Sequence, residues 1–336
     1  MAAIPPSFQE MHMRKLLAVT MSALALASLT TALPDHPVWS QAARTIRVII
    51  GVPPGGSIDV LVRILADYIS STKGQSIIVE SRPGAGGIIS AEAVARAVPD
   101  GNTLLINNNG TIINSILRKV NYDPQASFEP ICYLVTTPQI IVVNSASPYR
   151  TLAELVEAAR AKPAELSIAS VGPNTTQHIA IERFKRLAQA NLTYVPYPGG
   201  APTVTALLGA HVTSAVLNWS EIGEQLTAGK VRALATMALR RIEPLPDLPT
   251  VAESGYKDFG TDVWFGLVAP AKTPKETVSQ LIDWFRAALL APEVKAKLTA
   301  QALYPNAKCG ADFEAHIRRQ SDLYARLIRE LNIKTE

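Results

Sequence analysis

The sequence is poor in the residues that carry out chemistry. Its 336 residues include only two cysteines and five histidines, and aromatics make up 6%. No Walker A pattern, H-E-x-x-H or G-x-S-x-G occurs. Gly84-Ala85-Gly86-Gly87 falls short of G-x-G-x-x-G, because Ile89 stands where the third glycine belongs. His178, His211 and His316 are scattered and are read as surface or satisfied core histidines, so no metal and no cofactor is expected. There is no block of like charge either. The formal charge is +4 and the pI about 9.0, but Lys and Arg are scattered, which excludes a nucleic-acid stripe. Asp59 and Glu80 are the carboxylates to consider for acid-base work. Asp59 falls in the first turn of a helix, where complementing the dipole is role enough.

With 48% hydrophobic and 18% charged residues, the chain has a globular composition and room for two domains. Near the N-terminus Arg14 and Lys15 precede an apolar run over residues 16–33, closed by Pro34, Asp35 and His36. That run has the form of a secretory signal peptide rather than a membrane span. Ser40-Gln41-Ala42 offers small residues for cleavage near Ala42, and Thr30-Thr31-Ala32 is a second candidate. Residues 1–10 have no signal character, which leaves Met11 or Met13 as alternative starts. An exported chain permits a disulfide, and Cys132 and Cys309 are compatible with a bridge or with two buried thiols.

The chain is organised around Pro53-Pro54-Gly55-Gly56-Ser57-Ile58-Asp59. There an apolar strand over residues 46–50 hands over to a helix carrying Leu61, Ile64, Leu65 and Tyr68 at helical spacing. Ser57 is placed to cap the first turn. A helix N-terminus offers unpaired N–H groups and a positive dipole end, which suit a carboxylate or phosphate; the same pattern is also an ordinary βα turn. Further strands are expected at residues 76–80 and 103–106, with an Ala-rich helix between them. This β-α-β-α-β run implies a parallel sheet whose ligands bind beyond the strands' C-terminal ends. Asn107-Asn108-Asn109-Gly110-Thr111 emerges at that edge, as ligand contact or turn chemistry.

A strand at residues 139–143 and a capping box at Thr151–Glu154 follow. Another strand, residues 166–170, then runs into Val171-Gly172-Pro173-Asn174-Thr175-Thr176 and a helix carrying His178, repeating the physics of the first loop. Strands are expected at residues 192–195 and 212–217, the latter ending on Asn218 and Trp219. The strand at 231–236 is expected to return to the first sheet, and two or three packing helices to finish the chain.

Four stretches together resemble one family. They are the Pro53 loop, Arg82-Pro83-Gly84-Ala85-Gly86-Gly87, Pro99-Asp100-Gly101-Asn102-Thr103-Leu104-Leu105 and Tyr197-Pro198-Gly199-Gly200-Ala201-Pro202. Asn121-Tyr122-Asp123-Pro124, Leu248-Pro249-Thr250-Val251-Ala252-Glu253 and Trp264-Phe265-Gly266-Leu267-Val268-Ala269-Pro270 add to it. The chain is similar to the Bug-type, or tripartite tricarboxylate transporter, substrate-binding proteins. The resemblance implies an α/β, type II periplasmic-binding-protein-like fold with two α/β domains and a ligand cleft between them. The domains would be residues 43–138 plus 229–336, and 139–228.

It also implies a periplasmic, monomeric, non-enzymatic protein that closes on a small carboxylate, a dicarboxylate, tricarboxylate, amino acid or aromatic acid. Membrane transporter subunits would be its partners. The alternatives are a ligand-sensing partner of a membrane receptor, or a hydrolase or lyase on the same fold using Asp59 or His178. Carried onto this chain, the implied ligand loops are Gly55, Gly56, Ser57 and Asp59 facing Gly172, Asn174, Thr175 and Thr176. Asn108, Asn218 and Trp264 are further candidates, with Trp219 and Phe265 as apolar cover. The sequence departs from the family at Gly51-Val52, Asn102, Pro198 and Thr213, and the first of these could change the cleft wall.

Overall fold

Runs of valine and isoleucine decide where the sheet lies. In the computed structural model, which describes residues 45–333, β1 (Ile46–Ile50) sits between β2 (Ile77–Ser81) and β3 (Thr103–Asn108), all parallel. The expectations about the signal peptide and the start site lie outside these residues. The crossovers are α1 (Ser57–Lys73) and α2 (Ile88–Ala95), the second entered through a three-ten turn at Ala85–Gly87. Helix α1 buries Ile58, Leu61, Leu65 and Ile69 along one stripe. It stops at Gly74, whose left-handed backbone (φ 66°) returns its N–H to Ser70.

Helix α3 (Asn109–Leu117) leads to β4 (Phe128–Asn144), a 17-residue strand of which the sequence suggested only the second half. Pro130 and Pro138 within it cannot donate a ladder hydrogen bond. The strand accommodates them with register shifts near Pro130 and Tyr133, and by changing partners at Pro138. Over its first half β4 pairs with β9 (Asp262–Pro270), which in turn pairs with β3. On the other side it pairs with β10 (Tyr304–Cys309). Strand β10 replaces part of the expected helical ending. It places Cys309 opposite Cys132 with Cα atoms 3.9 Å apart, and the two are joined by a disulfide.

The second half of β4 forms the spine of another set of strands. Helices α4 (Leu152–Ala161), α5 (Thr176–Ala188), α6 (Gly200–Leu208) and α7 (Trp219–Thr227) alternate with β5 (Ser167–Val171), β6 (Thr193–Tyr197) and β7 (Ser214–Asn218). These three strands are mutually parallel, in the order β7-β5-β6. Strand β7 runs antiparallel to β4 on one side, from Gln139 opposite Asn218 to Val143 opposite Ser214. The expectation that Val231–Thr236 returns to the first sheet is corrected. This strand, β8, pairs with residues 140–144 of β4 on the side opposite β7. The short exit from α7 returns the chain alongside an edge that would otherwise be open.

Helices α8 (Lys275–Leu290), α9 (Pro292–Ala300) and α10 (Ala311–Glu330) complete the first half. Each half buries apolar side chains on both faces of its strands. In the first half Leu61, Leu65, Phe285 and Leu298 lie on one side, and Ile112, Trp264, Phe313 and Ile317 on the other. In the second half the two sides carry Leu155, Ile181 and Phe184, and Leu207, Leu217 and Ile222. Residues 237–261 pack on this second half through Met237, Val251 and Phe259 on one face and Ala238, Ile242 and Leu248 on the other.

Candidate ligand-binding cleft

Strand direction brings two sets of helix N-termini together. Both β3 and β4 are antiparallel to β9 and therefore run the same way, whereas β7 runs against β4. The C-terminal ends of β1, β2 and β3 thus point toward those of β5, β6 and β7, across the stretch where β4 passes between the halves. Asn108 lies opposite Phe265, which lies opposite Val135, while Asn218 lies opposite Gln139. Measured along β4, the ends of β3 and β7 are therefore offset by four residues, about 13 Å at the rise of a strand, with β9 lying between β3 and β4. Helices α1, α2 and α3 start at one edge and α5, α6 and α7 at the other. Each start leaves N–H groups without an intrahelical acceptor.

On the first edge, Gly55 (φ 90°) and Gly56 are exposed, and Gly56 is the N-cap of α1. Ser57 is the first helical residue and no side chain caps this helix, so its expected capping role is corrected. Asp59 organises the loop instead. Its carboxylate accepts the Gly55 N–H at 3.1 Å and pairs with Arg63 Nε at 3.1 Å, one turn on. The hydrogen bond from Arg63 holds its pKa below the usual carboxylate range, opposed by burial. Ser81 Oγ donates to the Val52 carbonyl at 2.6 Å and ties the loop to β2. The close approach of α2 explains Gly51: a Cβ there would lie 2.7 Å from Ser90 Oγ and 2.9 Å from Gly87 Cα.

The three asparagines after β3 divide the work. Asn107 is fully buried, and neither end of its amide has a partner. Asn108 caps α3, its Oδ1 accepting from Gly110 N at 2.8 Å and Thr111 N at 3.3 Å. Asn109 joins three segments distant in sequence. Its Nδ2 donates to Tyr324 Oη at 2.8 Å and to the Asp262 carbonyl at 3.3 Å, and its Oδ1 accepts from Trp264 N at 3.0 Å.

On the second edge, Gly172 (φ 52°) and Asn174 (φ 60°) are both left-handed. Thr175 caps α5: its Oγ1 accepts from His178 N and donates to the Val171 carbonyl at 2.8 Å. Thr176 is buried and its side chain is hydrogen-bonded to Tyr324, so the starts of α3 and α5 meet on one hydroxyl of α10. Asn218 begins α7 with its N–H given to the Glu221 carboxylate at 2.7 Å. Glu221 lies against Gly200, where a Cβ would come within 2.6 Å of its Oε1. Burial pushes Glu221 up to about 7, opposed by the Asn218 N–H, and pushes Asp262 up to about 6.

Between the two edges, Thr137 and Gln139 on β4 are fully buried, and Thr137 Oγ1 and both polar atoms of the Gln139 amide have no partner. A buried polar group left unpaired costs about 1–3 kcal/mol, so a set of them marks a place where water or a solute completes the bonding. Thr137, Gln139 and Tyr324 were not among the sequence candidates, whereas Asn107 and Asn109 lie in the asparagine run read there as ligand contact or turn chemistry. Gln139 carried a signal, as a polar residue leading an apolar strand. Tyr324 carried none, since it lies 215 residues from Asn109.

Two candidates move into the core. Trp264 is 1% exposed and packed edge-on against Tyr133, Phe313 and His316, and Phe265 is buried on the opposite face. Trp264 Nε1 has no hydrogen-bond partner, and Trp219 is half-buried at the start of α7 with its indole over Gly223. The groups considered for acid-base work are also committed. Asp59 is paired with Arg63, and His178 Nδ1 accepts the Asn174 N–H at 3.1 Å.

Comparison with known proteins gives a consistent outcome. The profile of the family described as "Tripartite tricarboxylate transporter family receptor" matches residues 61–333. Protein BugT of Bordetella pertussis is 30% identical over 329 residues, covering 96% of this chain and 99% of that protein. Among solved structures, periplasmic binding protein BugD is 31% identical with a TM-score of 0.79, over 87% of this chain and 99% of its own. Rpa4515 of R. palustris with adipate is 30% identical with a TM-score of 0.82, over 88% and 99%. MatC of Rhodopseudomonas palustris with bound malate is 28% identical with a TM-score of 0.76, over 85% and 99%.

Proposed function

This chain belongs to the tripartite tricarboxylate transporter receptor family, a family of substrate-binding receptors rather than enzymes, and from that premise we propose that it is an exported protein that captures a small organic carboxylate for uptake by a tripartite tricarboxylate-type transporter. The observation that carries the carboxylate reading is the opposition of the two sets of helix N-termini that follow β1–β3 and β5–β7, whose strands end facing one another along β4. Peptide N–H groups and helix dipoles there supply positive potential without a lysine or arginine. The contacts would come from Gly55, Gly56 and Ser57 on one side and Gly172, Asn174, Thr175 and Thr176 on the other. Asn108 and Asn218 border them, and Asp59 acts through Gly55. Adipate and malate in two of the structural relatives agree in chemical class.

The two lobes would be residues 45–138 plus 262–333, and 139–236, with residues 237–261 riding on the second. Closure would bend the chain at Thr137-Pro138-Gln139, where proline lacks the N–H of a ladder bond and β4 changes partners, and where the return crossing enters β9. A periplasmic, monomeric protein fits this reading. Calorimetry of residues 43–336 against adipate, malate, citrate, aspartate and benzoate tests it. At least one acid should bind and be recovered unchanged. Binding confined to uncharged or cationic solutes, or turnover of the bound acid, would overturn the proposal.

A further inference from the structure

The loop between β5 and α5 is held in shape by two ring side chains, His178 and Tyr194. Asn174 sits in the left-handed region without being glycine, a conformation that needs support from its surroundings. Support comes from within the next turn, where His178 Nδ1 accepts the Asn174 N–H at 3.1 Å. At the other end of the loop, Tyr194 Oη on β6 donates to the Gly172 carbonyl at 2.6 Å. The two rings stack on one another, with centroids 4.3 Å apart and planes inclined by 20°. Tyr194 and His178 thus form one bracket gripping the loop at both ends.

This bracket works for only one protonation state. An imidazole nitrogen accepts a hydrogen bond only through its lone pair, so Nδ1 must be bare and the ring neutral, with its proton on Nε2. Protonation would set an Nδ1–H against the Asn174 N–H, two donors facing each other. We propose that His178 is a positioning residue for the ligand loop, and that its protonation breaks the hydrogen bond from the Asn174 N–H and weakens ligand binding. The proposal rests on the reading above that residues 172–176 contact the carboxylate.

The charged and titratable neighbours of His178 are few. Tyr194, facing it from β6, is pushed up to about 12 by burial and stays neutral. On α5 itself, Glu182 raises the histidine pKa and Lys185 lowers it, and these two are paired with each other at 2.8 Å. Burial dominates and holds His178 below its ordinary value. The neutral ring therefore prevails at pH 7, and binding declines only as the pH falls through the native value of His178, which lies below that of a free histidine.

The test compares wild type with His178→Asn and His178→Gln, titrated with adipate and with malate between pH 5 and 8. Asparagine places an oxygen near the position of Nδ1 and cannot be protonated, whereas the glutamine oxygen lies one bond farther out. His178→Asn should bind within about threefold of wild type at pH 7.5 and outbind it by a growing margin as the pH falls through the native His178 value. His178→Gln should be about tenfold weaker throughout. Protonation of the acid itself affects all three alike and cancels in the ratios. In the ligand-free protein, the Asn174 amide in 1H–15N spectra should shift with the His178 titration and stay fixed in His178→Asn. Parallel profiles for wild type and His178→Asn, wild-type affinity in His178→Gln, or an Asn174 amide indifferent to His178 would overturn the proposal. If wild type binds neither acid, the amide titration alone decides whether His178 positions the loop, and the carboxylate reading fails separately.

Discussion

At the scale of single residues, hydroxyls that look alike in the sequence have unequal jobs. Ser57 and Thr175 both stand at strand-to-helix turns, yet only Thr175 caps its helix, since Gly56 takes the N-cap position before Ser57. Thr175→Ala should therefore cost about 1 kcal/mol of stability, the usual worth of a cap, and Ser57→Ala close to nothing, as read by urea denaturation. If Ser57 touches ligand, its removal will appear in affinity alone. Equal stability losses would contradict the assignment of the caps. The loops themselves were legible, because glycine next to a helical period marks a helix start wherever it occurs. The unpaired amides of Asn107 and Gln139 were not, because whether a polar side chain finds a partner depends on the strands beside it.

At the scale of elements, what the sequence revealed tracks how local the determinants are. The first β-α-β-α-β unit could be read from apolar periodicity alone, and β1 falls on its expected residues. Strand β10 could not. Its residues 304–309, Tyr-Pro-Asn-Ala-Lys-Cys, alternate weakly and include a proline, and they are held in a strand by β4 and by the bond to Cys132. Asn109 opens a helix for a similar reason, since its side chain is satisfied only by Tyr324, Asp262 and Trp264. The disulfide spans 177 residues, a long loop in the unfolded chain. The Cys132→Ser/Cys309→Ser double variant should lose roughly 2–5 kcal/mol, measured by chemical denaturation against the oxidised wild type. A loss below about 1 kcal/mol would mean that β10 holds its place through packing alone.

At the scale of the whole molecule, the two lobes share more than a cleft. Strand β4 belongs to both, and Tyr324 joins Asn109 at the start of α3 to Thr176 at the start of α5. Tyr324→Phe keeps the ring and removes the bridge, leaving buried donors short of an acceptor. The expected loss is about 1–3 kcal/mol. Calorimetry should still show one transition, at a lower temperature. A split into two transitions would mean that the hydroxyl, rather than the common strand, makes unfolding cooperative.

The placement of β9 between β3 and β4 also fixes the order in which the chain can complete itself. Residues 139–236 already contain every strand of the second lobe, so this portion can take shape as soon as it emerges. The first lobe has to wait for its missing middle strand and for Cys309, both supplied by the last quarter of the polypeptide. The part made first is thus finished last, and a truncation near residue 260 should leave an intact second lobe attached to an unclosed N-terminal sheet.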